Sequence, residues 1–203
     1  MLRVKTAFPQ VEFSTALTEE KALQEVQDVE VIFGDVSREV FLAAGNLRWI
    51  QCHGAGVNKL IAISELVESE VQLTNTRGAH APTISEHFFG MLISLTRQLP
   101  KLYQAQQRRE WIDWSEWSEK VGNRPLGLAG MTLGIIGLGN IGQAIAKRAR
   151  AFEMEVIAMD IRDDLSRPEC VSDLWPVENL PELFKRSDIV VITVPGTPQT
   201  HER

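Results

Sequence analysis

Basic residues are in short supply. Lysine and arginine number 21 against 27 aspartates and glutamates, a formal net charge of −6 over 203 residues. A surface of that sign repels phosphate backbones and anionic headgroups, which argues against nucleic acid or a membrane surface as a partner. Long apolar runs are missing too. None reaches the roughly 18 residues that a membrane-spanning helix requires, and the opening MLRVKTAFPQVEF has no apolar stretch of the secretory kind. Cysteine is nearly absent: Cys52 and Cys170 form no metal or redox spacing, so a cytoplasmic setting is expected. There is no internal repeat and no low-complexity tract. What remains is an ordinary globular composition, 44% hydrophobic and 24% charged, enough for one large or two small domains.

The most informative stretch is Met131 to Gly142, MTLGIIGLGNIG, followed by QAIAKRARAF. It reads as a short apolar strand, a glycine turn and a helix. Gly137, Gly139 and Gly142 complete the G-x-G-x-x-G spacing of a dinucleotide-binding turn, with Leu138, Asn140 and Ile141 between them. The first glycine permits the tight turn, the second admits a pyrophosphate to the backbone, and the third lets the helix lie close on the strand. The free N–H groups at the helix start then face the phosphates. A second strand, Glu155 to Met159, ends in Asp160. That is about 20 residues beyond the turn, the spacing of an acid that accepts hydrogen bonds from an adenosine ribose. The following Arg162-Asp163-Asp164 is charged and expected to be solvated. Arg162 could meet a 2′-phosphate, but Asp160 beside it would repel one, so NAD is expected over NADP.

These residues also carry a resemblance. GMTLGIIGLGNIG, the strand ending in Asp160, and DIVVITVPGTPQT resemble the D-isomer-specific 2-hydroxyacid dehydrogenases, and WIQCHGAGVN and TNTRGAHAPTISEH resemble that family's substrate domain. The resemblance implies an α/β protein: a flavodoxin-like parallel-sheet substrate domain over residues 1–100, incomplete, then residues 101–203 as the first half of a Rossmann NAD-binding domain. It further implies that Ala55, Gly56 and Val57 hold the carboxylate of a small 2-hydroxy or 2-oxo acid. From the residues alone, the glycines there are explained equally well by the turn they make. Pro195, Thr197 and Thr200 match the family's loop beside the cofactor.

In chain order, TEEKALQEVQ has helical composition and Glu30 to Phe33 is a strand candidate. Ser37 caps a helix that stops at Gly45, and Leu47 to Cys52 is the next strand. After a helix near Lys59, Val71 to Thr74 is expected as a fourth strand. The alternation predicts a parallel sheet with helices on both faces. Arg77 and His80 are the polar groups available to a substrate near the following loop. His80 reads more readily as a loop histidine than as a catalytic one. Pro82 suits a first helical turn, and Ile84, Phe88, Met91, Leu92 and Leu95 predict the face turned to the core. Glu86 is expected in a structural ion pair or hydrogen bond at the helix start, and His87 is expected to be structural. Pro100 marks a kink or an end. Trp111, Trp114 and Trp117 recur at i, i+3, i+6, which predicts one helical face; the resemblance places that region at a dimer interface.

GNRPLGLAG, residues 122–130, reads as a linker. Beyond Asp160 come a strand near Val171, a helix over Glu178 to Arg186 and a strand from Ile189 to Val194, giving the sheet order 3-2-1-4. Thr200-His201-Glu202 opens another helix. The apolar strand from Ile189 has no further strand beside it, and such an edge invites association into a dimer or larger assembly.

Members of the resembling family are longer, so the chain is expected to be a C-terminally truncated member. The arginine, histidine and acidic partner of the family's hydride transfer match nothing here; His53, His80, His87 and His201 do not occupy that position. Three readings follow: a truncated or interrupted dehydrogenase without activity of its own, a non-catalytic nucleotide-binding or interaction protein, and an active reductase with a rebuilt site, for instance at His80.

Overall fold

In the computed structural model, residues 2–162, 164–197 and 200 are described, and they form two compact units, Met1–Ala79 and His80–Arg203. The expected helix opening at His201 and Glu202 lies outside the described residues. The division falls before the helix that begins at Ala81, whereas the sequence places the domain boundary after residue 100. The glycine-rich segment 122–130 therefore belongs inside the second unit, where Leu128 is buried in the core.

The first unit runs α1 (Leu2–Ala7), α2 (Glu19–Glu25), β1 (Val31–Phe33), α3 (Arg38–Ala43), β2 (Trp49–Gln51), α4 (Asn58–Ile61), α5 (Ser64–Val67) and β3 (Gln72–Thr74). Thr18 and Ser37 cap α2 and α3, each accepting a backbone N–H three residues on, which satisfies a donor the helix cannot. The strands are parallel in the order β1-β2-β3. Three strands form this sheet among the described residues. The one at Gln72–Thr74 is thus the third, not the fourth, and the start of the chain is helical.

Ile32, Ile50 and Leu73 share one face of this sheet and pack with Phe41, Leu60, Ile63 and Leu66. Both crossovers use that face. The other carries Val31, Phe33, Trp49, Gln51, Gln72 and Thr74, with Phe33 74% exposed. The expectation of helices on both faces fails here. Polar bridging takes their place: the Trp49 indole donates to Thr74 Oγ1 (2.7 Å), whose hydroxyl donates to Gln51 Oε1 (2.7 Å).

The second unit continues with α6 (Ala81–Thr96), α7 (Leu99–Gln107), a 3-10 turn (Trp114–Glu116), α8 (Trp117–Lys120), β4 (Thr132–Ile136), α9 (Asn140–Ala151), β5 (Glu155–Met159), β6 (Asp173–Trp175), α10 (Leu180–Arg186) and β7 (Ile189–Ile192). Its parallel sheet has the order β6-β5-β4-β7, the 3-2-1-4 order expected. The pleat divides β4 and β5 between two cores. Leu133, Ile135, Val156 and Ala158 pack with Ile145, Ala146 and Ala149 of α9 and with Phe89 and Leu92 of α6. Ile157 and Met159 pack on the other face with Leu183 of α10. Gly134 permits the approach of α10, since a Cβ there would lie 2.7 Å from a Leu183 methyl and closer still to the Ser187 hydroxyl. Each fully buried Leu or Ile contributes about 1.5–3 kcal/mol relative to exposure.

Three expectations are corrected in this unit. The buried face of α6 is Ala81, Ser85, Phe89 and Leu92, whereas Ile84, Met91 and Leu95 are exposed. Apolar residues cover more than half of this helix's circumference, with Thr83, Glu86, His87 and Ser94 on the rest, so periodicity alone does not select the buried face within that wide arc. Pro100 neither kinks nor ends a helix. Gln98, in the left-handed region at φ 57°, separates α6 from α7, and Pro100 sits in the first turn of α7, where its missing N–H costs nothing. The tryptophans do not share a helical face. Arg109, at φ 56°, follows the end of α7, and Trp111 precedes the next turn, 88% exposed. Trp117 is buried, donates to the Asn123 carbonyl (3.0 Å) and lies 5.3 Å from the Trp114 ring.

Candidate functional site

The glycine turn joins β4 to α9 at the carboxyl edge of the sheet. Gly137 has φ 93°, a region closed to most side chains, and a Cβ there would also come within 2.9 Å of Val194 Cγ1. The Gly137 carbonyl accepts the Thr193 hydroxyl (2.5 Å). It also lies 2.3 Å from where a Cβ on Gly142 would be. Gly137 and Gly142 are therefore demanded by the chain itself.

Gly139 is different. Its φ is −74°, and a Cβ there would meet nothing within 4 Å. No neighbour in the protein requires glycine at this position; an approaching ligand would. Gly137 donates its N–H to Met159 O (2.8 Å) and Leu138 to Asp160 Oδ2 (2.7 Å). Gly139 is the N-cap of α9 and Asn140 its first residue, with no side-chain cap. Among the described residues, the N–H groups of Gly139, Asn140, Ile141 and Gly142 have no protein acceptor. Four open donors at the positive end of a helix dipole suit a pyrophosphate. Leu138 is fully buried beneath the turn, and Gln143 Nε2 donates to its carbonyl (3.1 Å).

Asp160 follows β5 with its side chain only 8% exposed. It is joined by Arg162, whose side chain is 43% exposed, in keeping with the solvated charge expected there, and is also paired. Arg162 Nε donates to Asp160 Oδ1 (2.8 Å), and Nη2 donates to Asp160 Oδ2 (2.9 Å) and to the Leu138 carbonyl (3.2 Å). An acid at the sheet edge thus holds a guanidinium that stays partly solvated. Arg162 also holds the Asp160 carboxyl down, at about 2, with the amides of Leu138 and Arg162 adding to the effect and burial opposing it. Asp160 is thus ionised throughout the neutral range. On the far side of the turn, Thr200 Oγ1 donates to the Pro195 carbonyl (2.6 Å) and accepts from the Thr197 amide (2.9 Å), which closes the loop after β7. The open amides, the bare Gly139 and the acid beside them fit the pyrophosphate and adenosine ribose of a dinucleotide.

In the first unit, Ala55, Gly56 and Val57 lie between β2 and α4. Asn75 Nδ2 donates to the Ala55 carbonyl (2.6 Å), and Thr76 Oγ1 donates to that of His53 (2.9 Å). The loop after β3 thus pins the loop after β2. Among the described residues, the N–H groups of Ala55, Gly56 and Val57 have no acceptor. Asp35, Cys52, His53, Gly56 and Lys59 border a cavity of about 210 Å³ beside this loop. Arg77 is exposed, with its backbone N–H on Asn75 Oδ1 (3.2 Å). In the second unit His80 is an exposed N-cap to α6 whose side chain caps nothing. Glu86 pairs with Arg148 (3.4 Å), the structural ion pair expected of it.

Residues 89–203 match the family model described as D-isomer specific 2-hydroxyacid dehydrogenase, NAD binding domain. The chain belongs to this family. It is 32% identical over 195 residues to a D-3-phosphoglycerate dehydrogenase of Methanocaldococcus jannaschii, covering 94% of this chain and 36% of that protein. It is 33% identical over 193 residues to a hydroxypyruvate reductase of Thermotoga maritima, covering 92% and 58%. The fold is similar, with a TM-score of 0.80 and 27% identity, to a crystal structure of a D-isomer specific 2-hydroxyacid dehydrogenase family protein from Aeromonas salmonicida, covering 98% of this chain and 61% of that one. The chain thus spans from about a third to three fifths of the length of these relatives. NAD is the cofactor of the domain it carries.

The glycines give a split expectation. Gly142→Ala must displace the Gly137 carbonyl and should cost about 1–3 kcal/mol of stability in urea unfolding. Gly139→Ala has room and loses only helix-cap preference, about 1 kcal/mol or less, yet it should abolish NAD binding measured by calorimetry. Equal stability losses, or undiminished binding in Gly139→Ala, would contradict the assignment.

Proposed function

We propose that these 203 residues bind the adenosine half of NAD through the turn from Gly137 to Gly142 and Asp160, and do not by themselves transfer hydride. The observation that carries this reading is the row of open amides at the start of α9 with Asp160 fixed to the Leu138 amide beside it. Arg162, Pro195 and Thr200 border the cofactor. Ala55, Gly56 and Val57 hold the carboxylate of a small 2-hydroxy or 2-oxo acid on their free N–H groups, with Arg77 and His80 as the polar groups on the substrate side. The relatives, named for phosphoglycerate and hydroxypyruvate, support that substrate class. The family reaction is hydride transfer between NAD(H) and such an acid.

General acid–base catalysis needs a group held at the transferred proton, and its loss removes a factor of about 10² to 10⁴. Among the described residues, His53, His80 and His87 are all exposed, with no side-chain partner to orient them. Among the described residues the sheet supplies one mononucleotide unit of a Rossmann domain, and a nicotinamide is oriented by a second. An unoriented nicotinamide forfeits up to roughly 7–11 kcal/mol of barrier lowering. The purified chain should therefore bind NAD in calorimetry yet leave NADH absorbance unchanged with glyoxylate, hydroxypyruvate or pyruvate. Steady turnover that disappears in His80→Ala would replace this reading with a rebuilt active site.

The chain is further proposed to form a homodimer or larger assembly. Ile84, Met91, Leu95, Leu99 and Tyr103 extend along α6 and α7 as exposed apolar surface, and Ile192 lies exposed on the edge strand β7. Surface of that kind marks an interaction site. Light scattering should give at least twice the monomer mass, and a monomer at every concentration would refute the association.

A further inference from the structure

The carboxylate expected to receive the ribose is already fully engaged. A carboxylate offers about four lone-pair sites, and Asp160 has four donors on it. Oδ1 takes the Arg162 backbone N–H (3.1 Å) and Arg162 Nε (2.8 Å). Oδ2 takes the Leu138 N–H (2.7 Å) and Arg162 Nη2 (2.9 Å). Two of these donors are backbone amides that fix the carboxylate to the turn and to the end of β5. The other two belong to one guanidinium, bound side-on in the bidentate manner that makes such pairs strong and geometrically specific. A ribose offers two hydroxyl donors, and with the two amides in place the lone-pair sites left for them are those the guanidinium holds.

We propose that Arg162 is a latch on the ribose site: in the cofactor-free chain its guanidinium holds the positions on Asp160 that the ribose hydroxyls must take, and its release sets both the affinity for NAD and the discrimination against NADP. Two donors replace two donors, so Asp160 stays satisfied and remains anchored by the amides of Leu138 and Arg162. Release is feasible because the Arg162 side chain is 43% exposed and its head is tied down on Asp160 and on the Leu138 carbonyl, while the nearby charge of Asp164 offers it a second, exposed carboxylate once it swings out. A latch that must open reduces the apparent affinity by the fraction of molecules already open. Once swung out, the guanidinium remains close enough to the ribose to soften the repulsion between Asp160 and a 2′-phosphate. The same side chain therefore weakens NAD and assists NADP.

This inference rests on the reading that the chain binds adenosine ribose at Asp160, and the test separates the two. Calorimetry with NAD and with NADP is run on the wild type, Arg162→Met, Asp160→Ala and the double variant. Methionine keeps the aliphatic stem and removes both donors. In Arg162→Met the dissociation constant for NAD should fall about two- to fivefold, the scale of a partly exposed ion pair, while that for NADP should rise. In the Asp160→Ala background the same change should no longer improve NAD binding. Opposite movement of the two ligands supports the latch, because general damage to the turn weakens both together. NAD affinity that is unchanged or weaker in Arg162→Met overturns the latch and leaves the cofactor reading intact. An absence of NAD binding in both the wild type and Arg162→Met overturns the cofactor reading and the latch with it.

Discussion

The close approach of α9 to β4 governs the second unit, and one carbonyl oxygen sets its limit. The oxygen of Gly137 accepts the Thr193 hydroxyl from the end of β7 and occupies the space a side chain on Gly142 would need. Three strand or helix ends are thereby gathered at one point. With Gly142 in place, Ile145, Ala146 and Ala149 settle on Leu133 and Ile135. The first turn of α9 then faces the edge of the sheet with its amides open. Turn geometry and core packing are thus the same constraint read from two sides, and Gly139 stands apart from it, since a Cβ there would meet nothing within 4 Å.

The electrostatics of the turn follow from that arrangement. A helix start carries about half a positive charge, and the first two amides of the turn are turned toward β5, one onto the Met159 carbonyl and one onto Asp160. Asp160 therefore belongs to the turn before any ligand arrives. Its negative charge is balanced by Arg162, the nearest guanidinium. The site is built from backbone groups and one ion pair, with no metal cluster among the described residues.

Local patterns were legible wherever sequence spacing maps directly onto geometry. The glycine spacing and the acid at the end of β5 belong to this class, because each is fixed within one β-turn-α-β segment; the strand order follows from the alternation of strands and crossovers over residues 132–192. Features that depend on distant packing were not. The buried face of α6 packs Phe89 and Leu92 with Ile145 and Ala149, and a helix whose apolar arc covers more than half its circumference does not announce which part of that arc is buried. The tryptophan spacing implies a helix, yet Trp111 stands in irregular chain before the 3-10 turn that begins at Trp114. A hydroxyl that ends a β-branched strand, such as that of Thr193, carries no sequence signal until its partner, the Gly137 carbonyl, is known. Arg162 two residues from Asp160 looks like surface charge, since only the curl of the chain after β5 brings its head back onto the carboxylate.

In the proposed cofactor site, the open amides at the start of α9, with Asp160, receive the adenosine half of NAD. The most direct test is an amide NMR titration of the isotopically labelled chain with ADP-ribose, which carries the pyrophosphate and both riboses but no nicotinamide. The account predicts that the largest shifts fall on Gly139, Asn140, Ile141 and Gly142, with a second group at Asp160 and Ile161, while β1 to β3 stay unmoved. Saturable shifts confined to other segments, or none at millimolar ligand, would contradict it.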